Sequence, residues 1–301
     1  MVKYYLLFTL IVVFACRKKD DVVFSNNNIP DYTGVPTILV KNYINRLYVD
    51  VIGRQPTDTE MNRDVQALRS GSLNADARTA LVNQLMFSTE FVEGDSSYKV
   101  ASFRKLYEDQ KSRYLNSESD GEILDRYNIY RGIAQQDSLQ GDMLSYSLIM
   151  AEANKILAVY NSKWDLQNGT ITAAEMCRRM MFNALYDDIN MNTFNFINAT
   201  FDNSLGRFPT DAEMSAAYDA VESSIGGSLF GLGISSKPDY LNVFVASREF
   251  QEGQIRWVYR ALLSRDATSP EAYTQLSTFT DDNTIQSIQK KIMITDEYAG
   301  F

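Results

Sequence analysis

Thirty-eight carboxylates and 29 Lys or Arg side chains carry most of the chemistry open to this 301-residue sequence, because it contains no histidine. That absence removes Ser-His-Asp and Cys-His catalysis, imidazole zinc sites and a histidine pH switch. Two cysteines, Cys16 and Cys177, can build neither a Cys₄ metal site nor a disulfide framework. Carboxylate-pair acid/base chemistry needs two acids on one site, and no Asp/Glu pair stands out by spacing. Three arginines recur instead: Arg54, Arg207 and Arg265, followed by Glu60, Glu213 and Glu271 and then by Glu90, Glu249 and Glu297. At a helix carboxyl end each arginine complements the dipole and can pair with Glu90, Glu249 or Glu297 in turn. This structural reading outweighs a ligand site repeated three times, and neither a metal nor another cofactor is expected. The offsets from Trp164 to Glu175 resemble a calcium loop, but Trp164 and Leu166 stand where carboxylates belong. Cys177, among Met176, Met180 and Met181, reads as a core thiol.

The elements that carry these residues emerge on self-comparison. Tyr43 to Met61 (YINRLYVDVIGRQPTDTEM) returns as Phe196 to Met214 (FINATFDNSLGRFPTDAEM), and a weaker copy starts at Ile255 (IRWVYRALLSRDATSPEA). Ile44, Leu47, Tyr48 and Val51 form one apolar stripe at helical spacing, and Ile255, Val258, Tyr259 and Leu262 repeat it. Gly53 and Gly206 stop this first helix in a left-handed backbone, and Pro56 and Pro209 block its continuation. A capping box then opens the second helix: Thr57 with Glu60, Thr210 with Glu213, Thr268 with Glu271. A third helix, Asp76 to Phe91 in the first copy, runs to the closure Ser88-Thr89-Glu90-Phe91, matched by Ser247-Arg248-Glu249-Phe250 and Thr295-Asp296-Glu297-Tyr298. Units this small bury little alone, so they should pack on one another.

The pattern aromatic-x₃-Leu/Ile-Gly-Arg-x-Pro-Thr-x-x-Glu, closed by Ser-x-Glu-Phe, resembles helical repeats of uncharacterised function in bacterial secreted and cell-surface proteins. Arg46 to Thr57 is also similar to the opening of a domain in planctomycete cytochrome-associated proteins. The resemblance covers about half the chain, and the third copy departs from it with Ser264 for glycine and Ala267 for proline. It implies a fold and a location, since these families carry no agreed catalytic residues.

The amino terminus reads as an address. Tyr4 to Ala15 is an apolar run of 12 behind Lys3, short of the roughly 20 residues that span a membrane. It reads as a signal peptide, residues 1–15, and Val13-Phe14-Ala15-Cys16 resembles a bacterial lipobox. The resemblance implies diacylglycerol on the Cys16 thiol, which with acylation of the new amine gives the two or more chains (palmitate among them) that stable anchoring takes. Lys19, Asp20 and Asp21 then resemble the signal by which Bacteroidota send lipoproteins to the outer leaflet of the outer membrane. Residues 16–34 form a tether with a root-mean-square reach of about 25 Å. The net charge of −9 repels nucleic acid, which is not an expected partner.

The expected organisation is all-α: unit 1 over residues 35–94, a helical middle with a degenerate half unit over 95–193, unit 2 over 194–253 and unit 3 over 254–301. A glycine-rich insertion in unit 2 carries Leu229, Phe230, Leu232 and Ile234. It reads either as a docking tip or as a loop folded back on its own helices. The functional expectation is a non-enzymatic lipid-anchored scaffold or interaction subunit of an outer-membrane complex for export, assembly or nutrient uptake. Its expected partners are outer-membrane lipid, through acylated Cys16, and a barrel or other envelope protein. A glycan-binding surface lipoprotein, suggested by 18 Tyr, 16 Phe and 2 Trp, is the second reading, and a carboxylate-dependent hydrolase the third.

Overall fold

Pro36 sets the first helix, α1 (Thr37–Ile52), which buries the predicted stripe of Ile44, Leu47, Tyr48 and Val51. Gly53 ends it at φ 79°, and the Thr57–Glu60 capping box opens α2 (Asp58–Ser70). Asn74 caps α3 (Ala75–Phe87), whose apolar face of Leu81, Val82, Leu85 and Met86 closes over α1. The computed structural model describes residues 31–282 and 284–301, so Cys16, Lys19, Asp20 and Asp21 lie outside the described residues.

A short antiparallel hairpin, β1 (Phe91–Val92) with β2 (Ser96–Ser97), leads into α4 (Tyr98–Tyr114). Two long helices follow, α5 (Asp120–Leu139) and α6 (Met143–Gln167), packed along each other. Then come α7 (Ala173–Met181) and α8 (Ala184–Asn190). The second half begins with α9 (Thr193–Leu205), ended by Gly206 at φ 70°, and α10 (Asp211–Ser223), opened by the Thr210–Glu213 capping box. A second hairpin, β3 (Gly227–Leu229) with β4 (Leu232–Ile234), precedes α11 (Lys237–Ala246) and α12 (Arg248–Leu263). The chain finishes with α13 (Ser269–Asp282), α14 (Ile285–Met293) and α15 (Asp296–Ala299).

The described chain is therefore all-α apart from two small hairpins, and residues 32–301 form one compact unit. Its core is continuous from Val40 to Ala299, with α1 against α4 and α9 against α12. The carboxyl terminus closes onto the amino-terminal helices. Arg46 of α1 donates to the Tyr298 carbonyl at 3.0 Å, and the buried Arg78 of α3 bonds Asp296 at 2.7 Å. Polar side chains in the interior are mostly tied. Lys111, 2% exposed, bridges Glu108 and Asp120, and Asp120 also holds Lys163 and the Tyr107 hydroxyl.

Two sequence expectations change. The closures at Ser247 and Thr295 do follow a third helix, since Ser247 is the C-cap of α11 and Thr295 comes directly after the C-cap of α14, but each also opens a further helix. Their hydroxyls accept from Phe250 N and Tyr298 N, so they start α12 and α15, and the expected boundary between residues 253 and 254 falls inside α12. In the first copy Ser88 ends α3, but the chain then detours through β1 and β2 before α4. The Lys99 N–H donates to the Ser88 carbonyl at 2.9 Å and pins the base of that detour.

Candidate functional site

The recurring arginines form three clamps of the same geometry. Arg54 grips Glu60 with both guanidinium NH₂ groups at 2.8 Å. Arg207 grips Glu213 at 2.9 and 2.8 Å, and Arg265 grips Glu271 at 2.9 and 2.8 Å. Each arginine also donates to the next residue's carbonyl and lies over an aromatic ring six residues earlier: Tyr48, Phe201 and Tyr259. Each glutamate in turn accepts from its cap residue's N–H at 2.7 Å. One carboxylate thus caps a helix and holds the end of the helix before it.

The third member of the clamp is where expectation and structure part. Arg207 Nε reaches Glu249 at 2.5 Å and Arg265 Nε reaches Glu297 at 2.6 Å, as expected. Arg54 does not reach Glu90. The hairpin detour carries Glu90 into solvent and returns Asp95, 5% exposed, whose carboxylate takes Arg54 Nε at 2.7 Å and Arg104 at 2.9 Å. The hydrogen bonds from Arg207 and from the Thr210 N–H hold Glu213 at about 2, well below the usual carboxylate range. Burial pushes Glu60 the other way, but Arg54, Tyr98 and the Thr57 N–H together bring it to about 2. All three nitrogens of each guanidinium are engaged by carboxylates and carbonyls of the chain itself.

The insertion carrying Leu229, Phe230, Leu232 and Ile234 is folded back, so the docking-tip reading is corrected. Leu229 and Ile234 are buried, and Phe230 packs on Phe201 and Phe244 with ring centroids 6.1 and 6.0 Å apart. Of the four, only Leu232 is exposed; it pairs with Leu229 at the open end of the hairpin, next to the two-residue turn. Cys177 is buried beside Gln110, and burial raises its thiol to about 11.

Apolar surface appears elsewhere. The far ends of α5 and α6, joined through Gly141 at φ 81°, expose Ile129, Ile133, Leu139, Met143, Leu144 and Leu148, with Leu139 89% and Leu144 72% accessible. α5 packs chiefly on α6, and the pair is rooted in the body where α6 meets α4 and α7.

The second feature is a cleft of about 400 Å³ between α1, α4, α12 and α14. It brings Asp50 of α1 and Asp109 of α4 into one electrostatic environment, together with Lys105, Ser112, Trp257 and Gln289. Burial raises both carboxyls above the usual range; Tyr298, Arg46 and Lys105 counteract it at Asp50, and Lys105 counteracts it at Asp109. Asp50 accepts the Tyr298 hydroxyl at 2.7 Å, and Lys105 holds Asp109 at 2.5 Å. Sequence spacing does not mark this pair, since the two acids sit 59 residues apart on helices that meet only in the fold. The i,i+4 spacing of Lys105 and Asp109 is the one local signal available.

Comparison with known protein families, with curated proteins and with solved structures gives no match. Among the described residues no group of three or more Cys, Asp or Glu is placed to hold a metal ion, and no helix is long and apolar enough to cross a membrane.

Proposed function

We propose that this chain is a non-enzymatic interaction subunit of an outer-membrane complex for export, assembly or nutrient uptake. It is held by lipid on Cys16, faces the cell exterior of a Bacteroidota-type envelope, and engages a protein partner through the tip of the α5–α6 hairpin. The observation that carries the reading is that tip. Six large apolar side chains, from 44% to 89% exposed, are concentrated on one helix pair, and an exposed apolar cluster of this kind marks an interaction site. The segment from Gly132 to Asn154 contains Asp137, Asp142 and Glu152 and no Lys or Arg. A helix that lies on anionic lipid carries basic residues on its polar face, so the chemistry favours an apolar groove on a protein. The three clamps support a further part of the reading, that α1–α2, α9–α10 and α12–α13 are copies of one unit, reused to build a stiff body that presents the hairpin.

The test is a photoreactive amino acid at Leu144 in intact cells, with one at the exposed Tyr273 of α13 as the reference. A discrete adduct with an envelope protein from Leu144 alone, lost in an I133D/L148D background that keeps the wild-type melting midpoint, is the expected result. Equal labelling from both positions would refute the hairpin as the contact. Cys16→Ala should release the chain from the membrane fraction, and protease shaving of intact cells should cleave it if it faces outward.

A further inference from the structure

We propose that the cleft between α1, α4, α12 and α14 is a binding site for a neutral polyhydroxylated ring, that is, for one residue of a saccharide. Three observations define what it can accept. First, its charges are already balanced among themselves. Lys105 is ion-paired with Asp109, and each nitrogen of Arg113 makes one bond, to the Asn203 carbonyl (2.6 Å), the Ser204 carbonyl (3.0 Å) and Gln254 (2.7 Å). The lining carries two carboxylates against Lys105 and Arg113, so it offers no net charge to a free anion, and a free amine finds carboxylates already paired with Lys105 or approached by Arg46 at 3.7 Å.

Second, acceptors remain. Asp50 receives the Tyr298 hydroxyl through Oδ2, and Asp109 receives Lys105 through Oδ1, which leaves one oxygen of each carboxylate for a hydroxyl donor. A hydroxyl donating to a carboxylate makes a charge-assisted bond, stronger than one to a neutral acceptor. Third, Gln289 lines the cleft although it is only 9% exposed, and its amide makes no hydrogen bond among the described residues. Its amide atoms are not sealed from the cleft, so a ligand hydroxyl can take the place of water there, donating to its oxygen and accepting from its nitrogen. The wall between these groups is apolar: the Trp257 indole, fixed by the Arg113 guanidinium 5.3 Å from its ring centre, with Val258, Ala261 and Leu262. Hydroxyl-seeking carboxylates and an amide around an aromatic and aliphatic wall suit a pyranose, which has polar edges and apolar C–H faces. The volume of about 400 Å³ falls at the small end of ligand sites, which run from roughly 300 to 1,000 Å³. This site shares no residue with the hairpin tip, so it stands or falls independently of the partner reading.

The experiment is saturation-transfer NMR on the purified full-length chain in a detergent without a sugar headgroup. The probes are glucose, galactose, mannose and N-acetylglucosamine, with putrescine and inorganic phosphate as the cationic and anionic comparisons. Binding of at least one pyranose, accompanied by a change in tryptophan fluorescence, is expected. Asp109→Asn and Gln289→Leu should each weaken it about tenfold. Because those two changes touch interior groups, Ala261→Trp serves as the second variant: it fills the cleft from an exposed position and should abolish binding with the far-UV spectrum unchanged. The proposal is overturned if no pyranose binds, if a bound pyranose is indifferent to Ala261→Trp, or if putrescine or phosphate binds in its place.

Discussion

Gly253 offers a sharp test of the packing. Replacing a helical glycine by alanine ordinarily gains up to about 1 kcal/mol of helix propensity. Here a Cβ would sit 2.1 Å from the Ser204 carbonyl oxygen, 3.1 Å from its carbon and 3.2 Å from the Leu205 Cα. An ordinary carbon–oxygen contact is about 3.3 Å or more, so the overlap is about 1.2 Å and the obstructing atoms are backbone. Helices α9 and α12 must part to admit it. Overpacking of this kind costs about 1–3 kcal/mol. Parting also strains the Arg113 bond to the Ser204 carbonyl and the Tyr114–Ser204 hydroxyl pair, both 3.0 Å, each worth about 1 kcal/mol. The clash outweighs the propensity, and Gly253→Ala should destabilise by about 2–4 kcal/mol. Urea denaturation followed by far-UV circular dichroism measures it. At about 2–4 °C per kcal/mol for a chain of this size, the melting midpoint should fall by roughly 5–15 °C. Gly132, exposed within α5 with no neighbouring atom within 4 Å of the position a Cβ would take, is the internal control: Gly132→Ala should stabilise by up to about 1 kcal/mol. If Gly253→Ala proves as stable as the wild type, the close α9–α12 approach is wrong.

Further outcomes follow from the clamps and the core. Arg207→Ala should cost about 1–3 kcal/mol by urea denaturation, and Arg207→Lys should recover little, because one ammonium cannot reproduce paired bonds to Glu213 and Glu249. The pH profile has a definite sign. Glu60 and Glu213 are held near 2 in the folded state, against 4.5 unperturbed. Their contribution is therefore present above about pH 4.5 and lost as pH falls toward 2. A urea midpoint that declines over this window, and declines less in Arg54→Ala/Arg207→Ala, is the expected observation. The Cys177 thiol, raised to about 11 by burial, should resist a thiol reagent in the native protein and react on unfolding in urea; native reactivity would show that the α7 face opens.

Much of the fold is legible in the residues because its signals are local. Helix stops at Gly53 and Gly206, caps at Thr57, Thr210 and Thr268, and the stripe of Ile44, Leu47, Tyr48 and Val51 all depend on residues within a turn or two of one another. Ser119 and Glu122, a full capping box that opens α5, carry a signal of the same kind outside the recurring pattern. The pairings of Arg207 with Glu249 and Arg265 with Glu297 are also readable, since the chain returns to the clamp directly from one helix into the next.

Residue types and spacing thus settle the helices, their ends, the arginines that tie them and the absence of histidine chemistry. Packing decides the rest. Asp95 takes the place of Glu90 because a hairpin intervenes, a detour that residue types do not announce. Leu229 and Ile234 go inward while Leu139 and Leu144 stay outside, although all four are equally apolar. Asp50 and Asp109 share a cleft only because α1 and α4 lie side by side. Burial and long-range proximity depend on which helix faces pack together, and that is a property of the whole chain.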